Sequence, residues 1–279
     1  MKGLTSIIIP SRNEPYLGKT IDSLFARKDG DIEVIVVLEG YWPDPMPNDR
    51  PGLIFINRPV KGMRPTINDG AAISKGEYIM KIDAHCDVAP GFDRKLKDDC
   101  DSDWVVIPRR YSLDAELWAN KPKTPVDAMY LEWSVPPAYH GKIWSERAKE
   151  RSDVLVDDDM SFQGSCWFMH KDYFDFLELM DLNVWRTRRQ EAQEIGLKAW
   201  FSGGRLVRNK NVWYSHWHKQ HRGFSVSKSE GDDCVVRSAK WIESGDWSKK
   251  VRGLNSLVEF FWPVPSWPED WEKIVAERA

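Results

Sequence analysis

Paired cysteines are missing from this sequence. Its four cysteines (Cys86, Cys100, Cys166, Cys234) are widely spaced and form no Cys-x-x-Cys pair, which speaks against a zinc knuckle or a disulfide scaffold and suits a reducing compartment. No apolar run approaches the roughly 18 residues of a membrane helix. The opening MKGLTSIIIPSRNEP holds too short an apolar run for a secretory signal and passes straight into a strand pattern. Excess charge of one sign is also lacking: 40 Lys and Arg against 43 Asp and Glu leave a net charge of −3, so nothing draws the whole chain to nucleic acid or an anionic membrane. There is no internal repeat and no low-complexity tract. Together these absences predict a soluble, cytoplasmic protein without a nucleic-acid partner or a transmembrane segment.

What is present is a core. A 42% hydrophobic content over 279 residues is enough for one large α/β domain, alone or with an appended subdomain. Tryptophan is abundant, with 15 residues, all but Trp42 crowded from Trp104 onward. Indoles build cores, and they also form platforms for the apolar C–H faces of sugars.

The first hundred residues alternate between two periods. Leu4–Ile9, Glu33–Leu38, Leu53–Ile56 and Tyr78–Ile82 read as buried strands, while Leu17, Ile21, Leu24 and Phe25 recur at helical spacing. Thr66–Lys75 reads as a small-residue helix with Gly76 as its stop. Continuous apolar strands separated by helices indicate a parallel sheet covered on both faces. Ligands of such sheets bind beyond the carboxyl ends of the strands, which singles out Ser11–Glu14, Glu39–Gly40 and Asp83–His85. Residues 110–160, rich in proline, read as a long excursion with helical pieces. Order returns with a strand at Gln163–Met169, a helix through KDYFDFLELM, and a helix over about Gln190–Phe201 ending at Gly203-Gly204.

The sharpest chemical feature is Asp83-Ala84-His85 at a strand end. Side chains two apart on an extended backbone point the same way, so Asp83 and His85 can share an ion. A carboxylate with an imidazole suits Mn²⁺, Zn²⁺ or Fe²⁺ better than Ca²⁺. His216, His218 and His221 fall together in WYSHWHKQH, and any one of them can complete the site; the plainer alternative is a set of exposed loop histidines. Two histidines and one carboxylate also match the ligand set of iron oxygenases, but those ligands sit on a double-stranded β-helix rather than on α/β alternation.

TSIIIPSRNEPYLGKTIDSL, EVIVVLEG and GMRPTINDGAAISKGEYIMKIDAHCDVAPGF resemble the nucleotide-sugar half of family-2-type glycosyltransferases, and most nearly the polypeptide N-acetylgalactosaminyltransferases with their Asp-x-His-Cys motif. QGSCWFMHKDYF and QEAQEIGLKAWFSGG continue the resemblance, which covers roughly residues 4–100 and 160–222. It implies a GT-A fold, α/β with a mostly parallel Rossmann-like sheet, over 1–218. Residues 1–108 would form the donor half, 109–218 the acceptor half, and 219–279 a mobile loop with a Trp/Pro-rich extension.

The resemblance further implies transfer from a nucleotide-sugar, UDP-linked, to a hydroxyl of a glycan or other acceptor. Mn²⁺, with Mg²⁺ as the substitute, would be bound by Asp83, His85 and His216, with His218 as fallback. Ser11, Asn13, Glu14, Glu39, Arg64 and Ala84 fall at donor positions, and Lys219 and Arg222 on a loop closing over the diphosphate, where cations suit phosphate oxygens. Gln163, Gly164 and Trp167 fall on the acceptor side. Two departures stand out. Ile67 occupies the position of an expected arginine, which Arg64 would replace from one turn earlier. Ala192 stands where inverting relatives carry the acceptor base, leaving Glu191 as the acceptor-side carboxylate. That second departure also admits a relative that binds nucleotide-sugar or glycan without turnover.

Overall fold

The computed structural model describes residues 1–136, 138–219 and 228–278. The first half runs β1 (Thr5–Ser11), α1 (Leu17–Arg27), β2 (Ile32–Glu39), β3 (Leu53–Arg58), α2 (Met63–Ile73), β4 (Tyr78–Ile82), β5 (Cys86–Val88), α3 (Phe92–Asp98) and β6 (Trp104–Asp114). There follow β7 (Ala119–Asn120), β8 (Met129–Glu132), β9 (His140–Ile143), α4 (Ser145–Glu150), β10 (Val156–Asp158), β11 (Cys166–His170), α5 (Lys171–Phe176), α6 (Leu182–Trp185) and α7 (Glu191–Phe201). The chain closes with β12 (Arg205–His216), α8 (Lys228–Ser244), α9 (Leu254–Phe261) and α10 (Trp271–Arg278).

The main sheet has the order β10-β12-β6-β11-β4-β1-β2-β3. Strands β3, β2, β1 and β4 run parallel, as do β6 and β12, while β11 inserts antiparallel between β4 and β6. Alternate side chains of β1 and β2 serve opposite faces. Ile7, Ile9, Val34 and Val36 enter a core with α1 and α3, whereas Ile8 enters a second core with α2, α5 and α7. Burial of both faces is why these strands read as unbroken apolar runs.

Three expectations change. The described part of residues 110–160 holds more strand than helix: β6 extends to Asp114, β8 and β9 form a separate hairpin, and α4 is the one α-helix among the described residues there. The helix expected through Met180 stops at Phe176, and Glu178 and Met180 adopt positive φ. Gly76 does not stop α2, which ends at Ile73 with Ser74 bonded back to Ala71 O. A Cβ at Gly76 would stand 2.7 Å from the Leu4 carbonyl oxygen and the Ser6 nitrogen, so the residue is glycine because the chain presses against β1.

Most of the tryptophan belongs to a third core. Trp144, Trp185, Trp267 and Trp271 are buried with Leu197, Phe201 and Phe261, joining α7 and the β8–β9 hairpin to α8, α9 and α10. The described part of the C-terminal segment is thus packed onto α7 and the β8–β9 hairpin. Among the described residues no helix is long and apolar enough to cross a membrane.

Candidate active site

The carboxyl ends of β1, β2 and β4 open onto one cavity of about 1580 Å³, lined by Ser11, Glu14, Glu39, Asp83, Ala84 and His85 among others. That exceeds the roughly 300–1,000 Å³ of a pocket for one small ligand, leaving space for two. The far wall comes from the β8–β9 hairpin, the Phe162–Ser165 segment and the start of α7.

Sheet pairing assembles the polar centre. Strand β5 pairs antiparallel with the end of β12, setting His216 opposite Cys86, and Trp217 N–H donates to His85 O at 3.1 Å. His85 Nε2 and His216 Nε2 thereby lie 3.1 Å apart, and Asp83 Oδ2 lies 3.3 Å from His216 Nε2 and 4.0 Å from His85 Nε2. Adjacent ligands of a six-coordinate ion with bonds of about 2.1 Å stand about 3 Å apart, so these three atoms fit around one ion. His85 Nδ1 is 3.0 Å from Glu14 Oε2. A proton on Nδ1, held by that carboxylate, leaves the Nε2 lone pair for a metal. Burial first, with the neighbouring His85 and Arg110, holds the His216 pKa below the ordinary value despite Asp83, which keeps the imidazole neutral and able to coordinate. At Asp83 burial opposes the charged form. Lys81 and the two histidines outweigh it, and the carboxyl stays far below its usual range.

Lys81 went unnoticed in the sequence. It lies fully inside, its Nζ donating to Asp83 Oδ1 at 2.7 Å and Gly164 O at 2.5 Å, and standing 3.4 Å from Glu191 Oε2. Burial pulls its pKa down, but Asp83 and Glu191 together hold it above the ordinary lysine value. A lysine in the otherwise apolar YIMKI strand, two residues before Asp83 and so on the same face, was the available signal. Glu191 accepts from Trp167 Nε1 at 2.7 Å, and burial raises its pKa against the pull of Lys81 and Trp167. A Cβ on Gly164 would fall 2.8 Å from Glu191 Oε2; only glycine leaves that carboxylate its place.

The glycosyl transferase family 2 profile matches residues 6–177, more than half of the chain. The chain belongs to glycosyl transferase family 2. It is 25% identical over 237 residues to the putative polypeptide N-acetylgalactosaminyltransferase 13 of Drosophila melanogaster, a match covering 72% of this chain and 39% of that one. It is 26% identical over 187 residues to the uncharacterized glycosyltransferase EpsJ of Bacillus subtilis strain 168, covering 57% and 53%. The matches thus span about two fifths and one half of these relatives. Among solved structures, GalNAc-T7 with UDP, GalNAc and Mn²⁺ superposes with a TM-score of 0.64 over 92% of this chain and 54% of that chain, at 16% identity. S. aureus TarS 1-349 in complex with UDP-GlcNAc gives 0.56 over 89% and 68%, at 13% identity. Such identities speak for the fold alone, and the fold is GT-A: a mostly parallel central sheet with helices on both faces.

Within this family-2 chain the remaining expected residues divide. Ser11, Glu14, Glu39, Ala84, Gln163, Gly164 and Lys219 line the cavity. Glu39 turns Oε1 to the Lys61 N–H at 2.7 Å and to the Gly62 N–H, fixing the approach to α2, and Lys219 ion-pairs with Glu14. Asn13 lines a neighbouring hollow with Tyr41 and Trp42. Arg64 does not reach the cavity wall. Fully buried, it pairs with Glu194 and donates to Arg189 O at 3.0 Å, tying α2 to the start of α7. Trp167 is also fully buried and acts on the wall only through Glu191. His218 stands apart from the triad, its Nε2 2.9 Å from Arg110 Nη1. Burial, then His216 and Arg110, push its pKa down to about 4. His221 and Arg222 lie outside the described residues.

Proposed function

We propose that this chain transfers a sugar from a UDP-sugar to a hydroxyl acceptor with the help of Mn²⁺, or Mg²⁺ in its place. The observation that carries the reading is the approach of Asp83, His85 and His216, whose ligand atoms lie within 4.8 Å of one another at the strand ends where open α/β sheets bind ligands. The relatives solved with UDP, GalNAc and Mn²⁺ and with UDP-GlcNAc favour a UDP-linked hexosaminyl donor.

An ion held by these three side chains supplies Lewis-acid neutralisation of the departing diphosphate. The chain's own groups prepare that event. Glu14 orients His85, and Lys81 holds Asp83 charged. Ser11, Glu39 and Ala84 line the donor end, where Lys219 at Glu14 stands ready to meet phosphate oxygens. Glu191, fixed by Trp167 and Lys81, is the acceptor-side carboxylate, and Gln163 and Gly164 form the floor over which the acceptor hydroxyl approaches. Ala192 lines the cavity without an ionisable group, so no carboxylate stands at that position.

The test is calorimetric titration of UDP with and without Mn²⁺, followed by nucleotide release from UDP-GlcNAc and UDP-GalNAc. The reading expects UDP affinity to rise on adding Mn²⁺ and release to stop with EDTA. UDP binding that ignores both the ion and Asp83→Ala would sink it. Anomeric NMR of the product assigns retention or inversion.

A further inference from the structure

The cavity's charge is opposite to that of the chain. Among the described residues its wall carries nine Lys or Arg side chains against four carboxylates, an excess of five positive charges in a protein of net charge −3. A UDP-sugar diphosphate and one divalent cation nearly cancel each other, so the donor complex leaves this excess in place.

The charges are also divided in space. At the donor end Glu14, Glu39 and Asp83 each stand beside a cation, Lys219, Arg12 and Lys81, so charge there is balanced, while the wall built by the segment before β8, the β8–β9 hairpin, the start of α7 and the start of α8 presents Lys123, Lys142, Arg188, Arg189 and Lys228. Its one carboxylate is Glu191, already committed to Trp167 and Lys81. The two sides of this wall meet at Gln190 and His140, 3.4 Å apart. Lys142, Arg188 and Arg189 have carboxylate neighbours at 3.4, 3.7 and 3.5 Å, namely Glu132, Glu230 and Asp232; none of these acids lines the cavity. Among the described residues Lys123 and Lys228 have no carboxylate partner, and Arg188 Nε is a buried donor without a hydrogen bond.

We propose, on the basis of the glycosyl-transfer reading above, that the acceptor is anionic and places a phosphate or carboxylate group against this basic wall. A charge-assisted hydrogen bond to a cation of a partly enclosed wall is stronger than a neutral one. Arginine side by side with lysine suits oxyanions of either kind.

The experiment uses the whole chain with UDP and Mg²⁺. Binding of UDP in the presence of the ion is measured first; its absence would defeat the donor reading and not the charge argument. Hexoses are then titrated by ligand-observed NMR in three forms: neutral, 6-phosphorylated, and oxidised to the 6-carboxylate. The proposal expects an anionic form to bind about tenfold more tightly than its neutral parent, and the better anion names the group. It expects this preference to shrink to about twofold in Lys142→Gln/Arg189→Gln and to weaken with added salt. UDP affinity of the variant reports that it is folded. Equal affinity for charged and neutral forms, no detectable binding of any anionic form, or a preference intact in the variant overturns the proposal.

Discussion

The two sides of the cavity, which we propose as its donor and acceptor sides, are built in different ways. On the donor side, three strand ends contribute short stretches, namely Ser11, Arg12 and Glu14, then Glu39, then Asp83–His85, all within the first hundred residues. The acceptor side gathers a hairpin, the segment after β10, the entry of α7 and the start of α8, separated by up to a hundred residues of chain. On one side carboxylates and cations balance, while the other carries mostly lysine and arginine. Repeated βα units place their chemistry at fixed offsets from each strand, so the donor end is coded locally. The acceptor wall depends on how a Trp-rich core seats α8, α9 and α10 against α7 and the hairpin. A fold can therefore keep its donor machinery while its acceptor wall changes.

The comparison can be broken first at the metal triad. His216→Ala removes the one ligand that reaches the donor side from β12, and kcat/KM should fall about a thousandfold, equivalent to about 4 kcal/mol. Nucleotide-release kinetics measure it, and a loss of less than about fivefold would detach the triad from the chemistry. Removing the ion with EDTA should give a comparable loss, reversed by Mn²⁺ and read in the same assay.

The two sides are stapled together by Arg64 and Glu194, both fully buried. Arg64→Met should cost about 3 kcal/mol in urea denaturation, the low end for a broken buried pair because Lys198 remains 2.9 Å from Glu194. If stability held while UDP binding collapsed, Arg64 would belong to the donor site after all.

Gly164→Ala separates the sides more finely. Its Cβ would push into Glu191, so acceptor KM or kcat should worsen by about tenfold, roughly 1–2 kcal/mol. The UDP dissociation constant should stay within about twofold. An equal loss in both parameters would show that Glu191 serves the whole cavity. The smallest effect belongs to Trp42, 64% exposed beside the hollow that holds Asn13. Trp42→Ala should shift stability by no more than about 0.5 kcal/mol, and a larger shift by thermal unfolding would mean that the indole is covered in solution.

Several of these residues were legible in the chain. Asp83 and His85 announce themselves because period-two spacing at a strand end fixes their common direction, and Ser11, Glu14 and Glu39 because each follows an apolar run. Lys81 was hidden inside such a run, where pattern reading treats every position as core. Arg64 was given a donor position by the family resemblance, yet Glu194, 130 residues further along the chain, took its charge. Trp167 was placed on the acceptor wall by its segment and instead buries its ring behind Glu191, since α5 and α7 cover that face of β11. The hairpin at residues 129–143 left no trace because its proline-rich surroundings mask the alternation.

The sequence by itself determined the alternation of buried strands and helices, and with it the rim on which Asp83 and His85 stand. Hydrophobic period and turn residues act over a few positions, and they suffice for that. Only the tertiary structure decided that His216 rather than His218 joins them. The pairing of β12 with β5 sets His216 against His85, while Arg110 occupies His218. It also decided where the cations gather, for a basic wall is the sum of side chains that no local pattern relates. Contacts across the sheet and through a shared core fix both, because they depend on which distant segments meet.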